Sequence, residues 1–440
     1  MDTEKNYNLA LDYLYSFVDY SLKHASELAK ADFNLDRMFA LMETLGNPQN
    51  KYPIIHVAGT KGKGSTSALC ASALKAAGYK VGLYTSPHLE DYVERIRVNG
   101  RPITHSRMVK LVEEIKPAVA KIPRLTTFEI TTALGFLAFA RAGVDAAVIE
   151  VGLGWRLDAT NVIIPKVSVI TSLSMDHMAV LGDTLAKIAG EKAGIIKPGV
   201  PVVSSPQKKE ALEVVLRVAR DKSSPTLLVG RDIEYQLLES SLDGQTVQLT
   251  DNLQPSTFTF KLPLLGSHQL INAATAYTAL KASGLRISNA AIQKGFSQVK
   301  WHARFEVVRR NPPVIFDSAH NDDSFARLRE TLDKYFPGKE VYLIFGASED
   351  KNIPGMFREL RSKIRKVIVT RADHPRALEM EKIQALAMQA GLHSEAVIPV
   401  SSALARAMEL SARDGSIVLS AGSMFVTAEV MTAWKALKAH

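Results

Sequence analysis

The sequence has one cysteine, Cys70, in 440 residues. That scarcity excludes an internal disulfide and points to a reducing compartment, the cytoplasm. Long apolar runs are missing too. No stretch approaches the roughly 18 residues that a membrane helix needs, and the opening Met1-Asp2-Thr3-Glu4-Lys5-Asn6 is polar and mixed in charge, so neither a membrane partner nor a secretory leader is expected. There is no internal repeat and no low-complexity segment. Aromatic residues are sparse at 7%, and no basic stripe interleaves with them, so nucleic acid is not an expected partner despite a net charge of +9. The positive balance suits a multiply anionic small molecule or an ordinary basic surface. What is present, 46% hydrophobic and 22% charged residues, describes a globular chain long enough for two or three cores.

One stretch organises the rest. The apolar run Tyr52-Pro53-Ile54-Ile55-His56-Val57-Ala58 breaks into Gly59-Thr60-Lys61-Gly62-Lys63-Gly64-Ser65-Thr66 and then opens a helix that includes Cys70 as a small core residue. Backbone N–H groups of such a turn converge on an anion, and the start of the helix adds its positive dipole end. Lys63 is placed to hold the β- and γ-phosphates, and Ser65 or Thr66 to offer a hydroxyl to Mg²⁺. The spacing departs from the common phosphate-loop pattern, because no glycine stands five residues before Gly62 and Gly64 separates Lys63 from Ser65. A plain strand-to-helix turn with a solvated lysine is the competing structural explanation.

Around this turn the pattern alternates. Residues 6–45 read as helical, with Leu9, Leu11, Leu14, Tyr15 and Val18 on an apolar face. A helix through Ala77 and a strand over 80–85 complete a βαβ unit, which implies a parallel sheet with covering helices. Further strands are expected over 145–152 and 166–171, a β-rich region between Pro201 and Pro263, and helices near 268–283 and 288–298. After a boundary near Gly295–Arg304, buried strands over 313–317, 341–346, 366–370 and 416–420 alternate with helices. The expected fold class is α/β, a P-loop-type parallel-sheet ATPase domain over residues 1–298 followed by a smaller Rossmann-like α/β domain over 299–440.

Ligands of open α/β sheets gather beyond the carboxyl ends of the strands, which places Glu150 and the segment Ser172–His177 near Lys63. Glu150 and His177 offer one oxygen and one nitrogen to a divalent cation. In the second domain, Asp317 and His320 in Phe316-Asp317-Ser318-Ala319-His320-Asn321 lie where a strand gives way to a helix, and with Arg304 they are expected to project into a cleft. An Asx-type helix cap with a surface histidine is the alternative for this segment.

These residues carry a resemblance. Gly59-Thr60-Lys61-Gly62-Lys63-Gly64-Ser65, Thr85-Ser86-Pro87-His88-Leu89, Glu94-Arg95-Ile96-Arg97-Val98-Asn99-Gly100, Thr127-Phe128-Glu129, Glu150-Val151-Gly152-Leu153-Gly154, Arg156-Leu157-Asp158-Ala159-Thr160-Asn161, Glu191-Lys192-Ala193-Gly194-Ile195, Gly266-Ser267-His268-Gln269 with Asn272, Arg304-Phe305-Glu306, and Asp317 with His320-Asn321 occur in order from about residue 9 to 430. Together they resemble the folylpolyglutamate synthase/dihydrofolate synthase family of the Mur ligase superfamily. The resemblance implies an ATP-dependent ligase that joins L-glutamate to a folate-type carboxylate through an acyl phosphate. It implies ATP and two Mg²⁺ ions as cofactors, with a monovalent cation as a further candidate, small-molecule partners (a folate or pteroate and L-glutamate), and a monomer. It assigns Gly59, Thr60, Gly62, Lys63, Gly64, Ser65, Thr66, Asn272, Arg304 and Asp317 to ATP. Ser65, Ser86, Glu150, His177 and a carbamylated Lys192 go to metal, and Pro87, Phe128, Trp155 and Asp158 to the acceptor. Lys63, Lys192, Arg304 and His320 are the expected catalytic set.

The chain also departs from the family pattern. Trp155 stands where a glycine is usual, Ser318 replaces a glycine before Ala319-His320, and Trp301-His302-Ala303-Arg304 lacks a Pro-Gly before the arginine. These changes are expected to leave the ATP machinery intact and to alter acceptor preference. A Mur-type ligase with a non-folate acceptor, or a nucleotide-binding regulatory protein that has lost ligation, remain as alternatives.

Overall fold

The computed structural model describes residues 2–19, 34–152, 156–175 and 182–439. Trp155 and His177, expected at the acceptor and the metal, lie outside them. The chain divides into two compact units. The first takes Met1–Leu238, Thr246–Leu262 and Gln269–Val299, and the second takes Glu239–Gln245, Pro263–His268 and Lys300–His440.

The first unit is built on eight strands: β1 (Ile54–Ala58), β2 (Val81–Tyr84), β3 (Ile96–Val98), β4 (Arg101–Pro102), β5 (Ala146–Glu150), β6 (Val167–Ile170), β7 (Val202–Ser204) and β8 (Thr226–Leu228). They lie side by side in the order β4-β3-β2-β5-β1-β6-β7-β8. Only the pairs β2–β3 and β3–β4 are antiparallel; β2–β5, β1–β5, β1–β6, β6–β7 and β7–β8 all run parallel. Every residue of β1, β2, β5, β6 and β7 is buried, as expected of parallel strands covered on both faces. On one side, Leu111, Phe136, Phe139 and Ile149 share a core with Tyr7, Ala10 and Leu14 of the first helix.

That first helix corrects the sequence expectation. It spans Thr3–Tyr15 and another helix covers Asp36–Thr44, so the stretch 6–45, read as helical, leaves the helix after Tyr15, and its residues 20–33 lie outside the described ones. The chain turns because the Ser16 hydroxyl bonds back to the Tyr13 carbonyl and Val18 bridges to Thr126. Its buried face is Tyr7, Ala10 and Leu14, whereas Leu9, Tyr15 and Val18 are exposed.

The region from Pro201 to Pro263 is only partly β-rich. It contains a helix over Lys209–Asp221, whose Ala211, Val214, Val215 and Ala219 form a buried stripe, and a three-stranded sheet of β9 (Ile233–Ser241), β10 (Gly244–Asp251) and β11 (Ser256–Leu262). The two helices that follow run over Ser267–Ala282 and Asn289–Ser297.

The second unit holds a six-stranded sheet of β12 (Glu306–Arg310), β13 (Pro313–Phe316), β14 (Val341–Phe345), β15 (Ile364–Val369), β16 (Ser394–Ala396) and β17 (Ile417–Ala421), ordered β12-β13-β17-β14-β15-β16. All its pairs except β12–β13 are parallel. Phe325, Leu343, Phe345, Phe357 and Leu419 build its core. Among the described residues, no helix is long and apolar enough to cross a membrane.

Candidate active site

The carboxyl edge of the first sheet brings separate stretches of sequence into one row. In β2, β5, β1 and β6, which are consecutive neighbours, Tyr84 pairs with Ile149, Glu150 with Val57, and Ala58 with Ile170. The chain therefore leaves the sheet at Ser86, Glu150, Gly59 and Thr171 within a few strand spacings of about 4.8 Å each. β1 leads into the glycine turn, and a helix starts at Lys63 with Gly62 as its left-handed N-cap.

The turn is tight on two sides. A Cβ on Gly59 would fall 1.9 Å from Thr171 Oγ1, and one on Gly62 would fall 2.2 Å from Asn272 Oδ1. Both glycines have positive φ, +147° and +87°, which residues with a Cβ resist. The N–H groups of Thr60 and Lys61 donate to the Ser172 carbonyl, each at 3.0 Å, and fix the entry of the turn against the end of β6. N–H groups in the first turn of the following helix find no acceptor within the helix, as at any helix start. The buried Thr66 Oγ1 and Ser67 Oγ have no hydrogen-bond partner among the described residues. Backbone pressed close, orphan donors and a dipole end form an anion cradle, with half-buried Lys63 at its mouth. Asn272 donates to Gln269 Oε1 at 2.9 Å, which holds its amide over Gly62.

Of the residues expected at metal and acceptor, Glu150 ends β5, Ser86 follows β2, and Ser65 lies in the first turn of the helix after β1. Glu150 is 5% exposed and Ser65 3%. Ser86 is half-buried, and Pro87 after it is exposed and follows a cis peptide bond. Phe128, second residue of the helix Thr127–Ala142, lies against Gly152, where a Cβ would meet its ring at 2.4 Å. Lys192 is buried at 2% exposure in the last turn of the helix Leu185–Ala193. Asn161 ties that helix end to the loop before it, donating from Nδ2 to the carbonyls of Gly194 (3.1 Å) and Arg156 (2.8 Å).

Asp158 is held from below. Thr160 donates from Oγ1 to Asp158 Oδ1 at 2.6 Å, so its oxygen accepts the 2.9 Å bond from His56 Nε2–H. His56 is wholly buried in β1, and its Nδ1 has no hydrogen-bond partner among the described residues. Burial, reinforced by Lys197, lowers its pKa to about 3, so the ring is neutral.

Arg304, Asp317 and His320 come together in the second unit. Asp317 follows β13 and accepts from the N–H groups of Phe305 and Ala319, each at 2.7 Å. Burial pushes its carboxyl pKa up, against the opposing pull of Arg304 and the two N–H groups. His320 donates from Nδ1 to the Ser318 carbonyl at 2.8 Å. The helix cap belongs to Asn321, which forms a capping box with Ser324.

Sequence reasoning missed Thr171 as a wall of the turn, although it ends an expected strand, whereas the segment from Ser172 was expected near Lys63. It also missed a shallow hollow beyond the carboxyl ends of β14, β15 and β17, lined by Ser348, Thr370, Arg371, His374, Ser423 and Phe425 among others. The same edge rule, applied to the second sheet, points to it.

Comparison with known proteins agrees with this geometry. Residues 57–280 match the Mur ligase middle domain, and residues 303–424 match the Mur ligase glutamate ligase domain. The dihydrofolate synthase/folylpolyglutamate synthase of Bacillus subtilis (strain 168) is 38% identical over 365 residues, covering 78% of this chain and 82% of that protein. The chain belongs to the folylpolyglutamate synthase/dihydrofolate synthase family. By that membership it is an ATP-dependent glutamate ligase. The corresponding Mycobacterium tuberculosis protein is 37% identical over 399 residues, 85% of this chain and 81% of that one. Folylpolyglutamate synthase of M. tuberculosis, solved in complex with ADP, superposes with a TM-score of 0.88 at 32% identity over 98% of both chains. In this family member, the glycine cradle and the pocket of the second sheet fall within the middle and glutamate ligase domains respectively.

Proposed function

We propose that this protein joins the amino group of L-glutamate to a carboxylate of dihydropteroate, a reduced folate, or both, forming ADP and phosphate. The observation that carries this reading is the cradle at the end of β1, where Gly59 and Gly62 leave no room for a Cβ. A carboxylate oxygen is a poor leaving group, so the γ-phosphoryl of ATP first passes to the acceptor carboxylate. The amino nitrogen of glutamate then attacks the acyl carbon of that mixed anhydride; the C–N bond forms, the C–O bond to phosphate breaks, and a proton leaves the nitrogen.

The chain's own residues contribute positioning and charge rather than covalent chemistry. Lys63 and the free N–H groups at the start of the following helix hold the phosphates, and Arg304 is assigned the charge on the transferring phosphoryl. Asn272, seated over Gly62, is assigned to the nucleotide, and so is Asp317 of the second unit. Phe128, Pro87 and Asp158 border the acceptor. The Ser65 and Ser86 hydroxyls and the Glu150 carboxylate are hard oxygen donors suited to Mg²⁺, and no cluster of three or more His, Cys, Asp or Glu occurs among the described residues. That donor set fits an ion held largely by phosphate oxygens and water. When bound, Mg²⁺ neutralises phosphate charge. We assign Lys192 a carbamate, because an anion in that buried place suits a neighbouring cation and an ammonium does not. Glutamate is assigned to the hollow beyond the second sheet, where the hydroxyls of Ser348, Thr370 and Ser423 and the Arg371 guanidinium, itself paired with Glu379, can meet a zwitterion. A monomer in a reducing cytoplasm fits the buried Cys70.

The test is to incubate the protein with Mg-ATP and glutamate against a panel of pteroates and folates and to read products by mass. Addition of one glutamyl residue to a panel member supports the assignment. A panel with no glutamylated product refutes it.

A further inference from the structure

The mounting of Arg304 contains one residue without a role so far. Arg304 stands between Ala303 and Phe305, whose φ angles of +54° and +46° are conformations that residues with a Cβ seldom take. Both neighbours are pinned by carboxylates. The Ala303 N–H donates to Glu306 Oε2 at 2.9 Å, and the Phe305 N–H donates to Asp317 Oδ2 at 2.7 Å. Left-handed backbone persists at such positions only where surrounding bonds over-determine it.

The side chain is held by a third group. Ser318 is 8% exposed, and its N–H donates to the Ala303 carbonyl at 3.0 Å. Its Oγ lies 3.1 Å from the same carbonyl and also contacts Arg304 Nη1. A carbonyl only accepts and a guanidinium only donates, so the assignment of the hydroxyl proton is forced. The O–H points at Ala303, and the oxygen lone pairs face Arg304. Nη1 also donates to the Ala303 carbonyl at 2.9 Å, so one guanidinium nitrogen is shared by two acceptors fixed to each other.

We propose that Ser318 is a positioning residue for Arg304, holding its guanidinium in place before the phosphoryl group moves. The proposal rests on the reading of Arg304 as the arginine that meets the phosphoryl group. A flexible arginine must be ordered when charge develops, and a fixed one need not be. The effect therefore falls on turnover more than on nucleotide affinity.

Steady-state kinetics in ATP for Ser318→Ala and Ser318→Cys, alone and combined with Arg304→Ala, test this. Alanine removes the oxygen, and cysteine fills the space with a poor acceptor. Each single variant is expected to lower kcat about ten-fold, the scale of a hydrogen bond to a charged group, with KM for ATP held within about two-fold. In the Arg304→Ala background, Ser318→Ala is expected to change kcat less than about two-fold, because the group it positions is gone. Wild-type kcat in the cysteine variant overturns the proposal, even where the alanine protein is too unstable to assay. An undiminished Ser318→Ala effect without the arginine also overturns it, since the serine then acts through the loop alone. If Arg304→Ala changes neither kcat nor KM, the reading of Arg304 itself fails and takes the proposal with it.

Discussion

At Gly62 a methyl group would lie 2.2 Å from Asn272 Oδ1, and at Gly59 it would lie 1.9 Å from Thr171 Oγ1. Gly62→Ala is therefore expected to displace the turn and cost about a hundred-fold in turnover, the price of misplacing reacting groups by roughly an ångström. Gly78→Ala is the control: its φ of +94° is as strained, but nothing lies within 4 Å of the added carbon. It should lose about 1 kcal/mol of stability and no activity. Equal activity losses in the two variants would sink the steric account. Thr160→Val cuts the chain from His56 to Asp158 and removes the acceptor of the buried His56 Nε2–H. Denaturant unfolding should show a loss of about 1–3 kcal/mol; an unchanged midpoint would mean that the chain carries no stability. His56 itself is proton-poor in the folded state, with a pKa near 3 against an ordinary 6.5. Stability should therefore fall as pH drops from about 6.5 toward 3, while the unfolded chain takes up the proton that the buried ring refuses.

Among the elements, the first helix is fastened to the loop before β3 by a histidine between two acids. His105 Nε2 meets Asp91 Oδ2 at 2.7 Å and its Nδ1 meets Glu4 Oε1 at 2.8 Å, while Tyr7 stacks on the ring at 3.7 Å and donates to Asp91 at 2.6 Å. The bond to Asp91, more than that to Glu4, raises the His105 pKa. Bonds from Tyr7 and His105 outweigh burial and lower that of Asp91. A raised histidine contributes stability below its unfolded value and loses it as pH rises through the folded one. Hydrogen exchange over Thr3–Tyr15 should therefore speed up more than intrinsic rates predict as pH rises above about 6.5. Exchange that tracks intrinsic rates across that range would show that His105 is not the fastening. Sequence reasoning could not place this helix face. Tyr7 and Ala10 point inward because of a partner about a hundred residues away, and a lone helical period cannot show which stripe that partner covers. Strands β1, β5 and β6 were legible because continuous β-branched runs between glycines and acids have few other uses. The helix Lys209–Asp221 was hidden by its charged residues, which occupy the exposed face and dilute the apolar period.

For the whole molecule, the family and its chemistry were legible because the glycine turn, the strand-end acid and the Asp317–His320 segment each carry constraints that few other folds impose. The packing around the turn was not, since Thr171 and Asn272 reach it only through sheet order and a distant helix. Nor did the sequence pattern single out the pocket of the second sheet, whose lining comes from three segments separated by up to eighty residues. The central claim is that ATP cleavage here is tied to making an amide bond. Phosphate release should then be measured with Mg-ATP while glutamate and the folate-type acceptor are each left out in turn. Release that needs both, in step with a glutamylated product, is the expected result. Release at the same rate with either one missing would contradict the account.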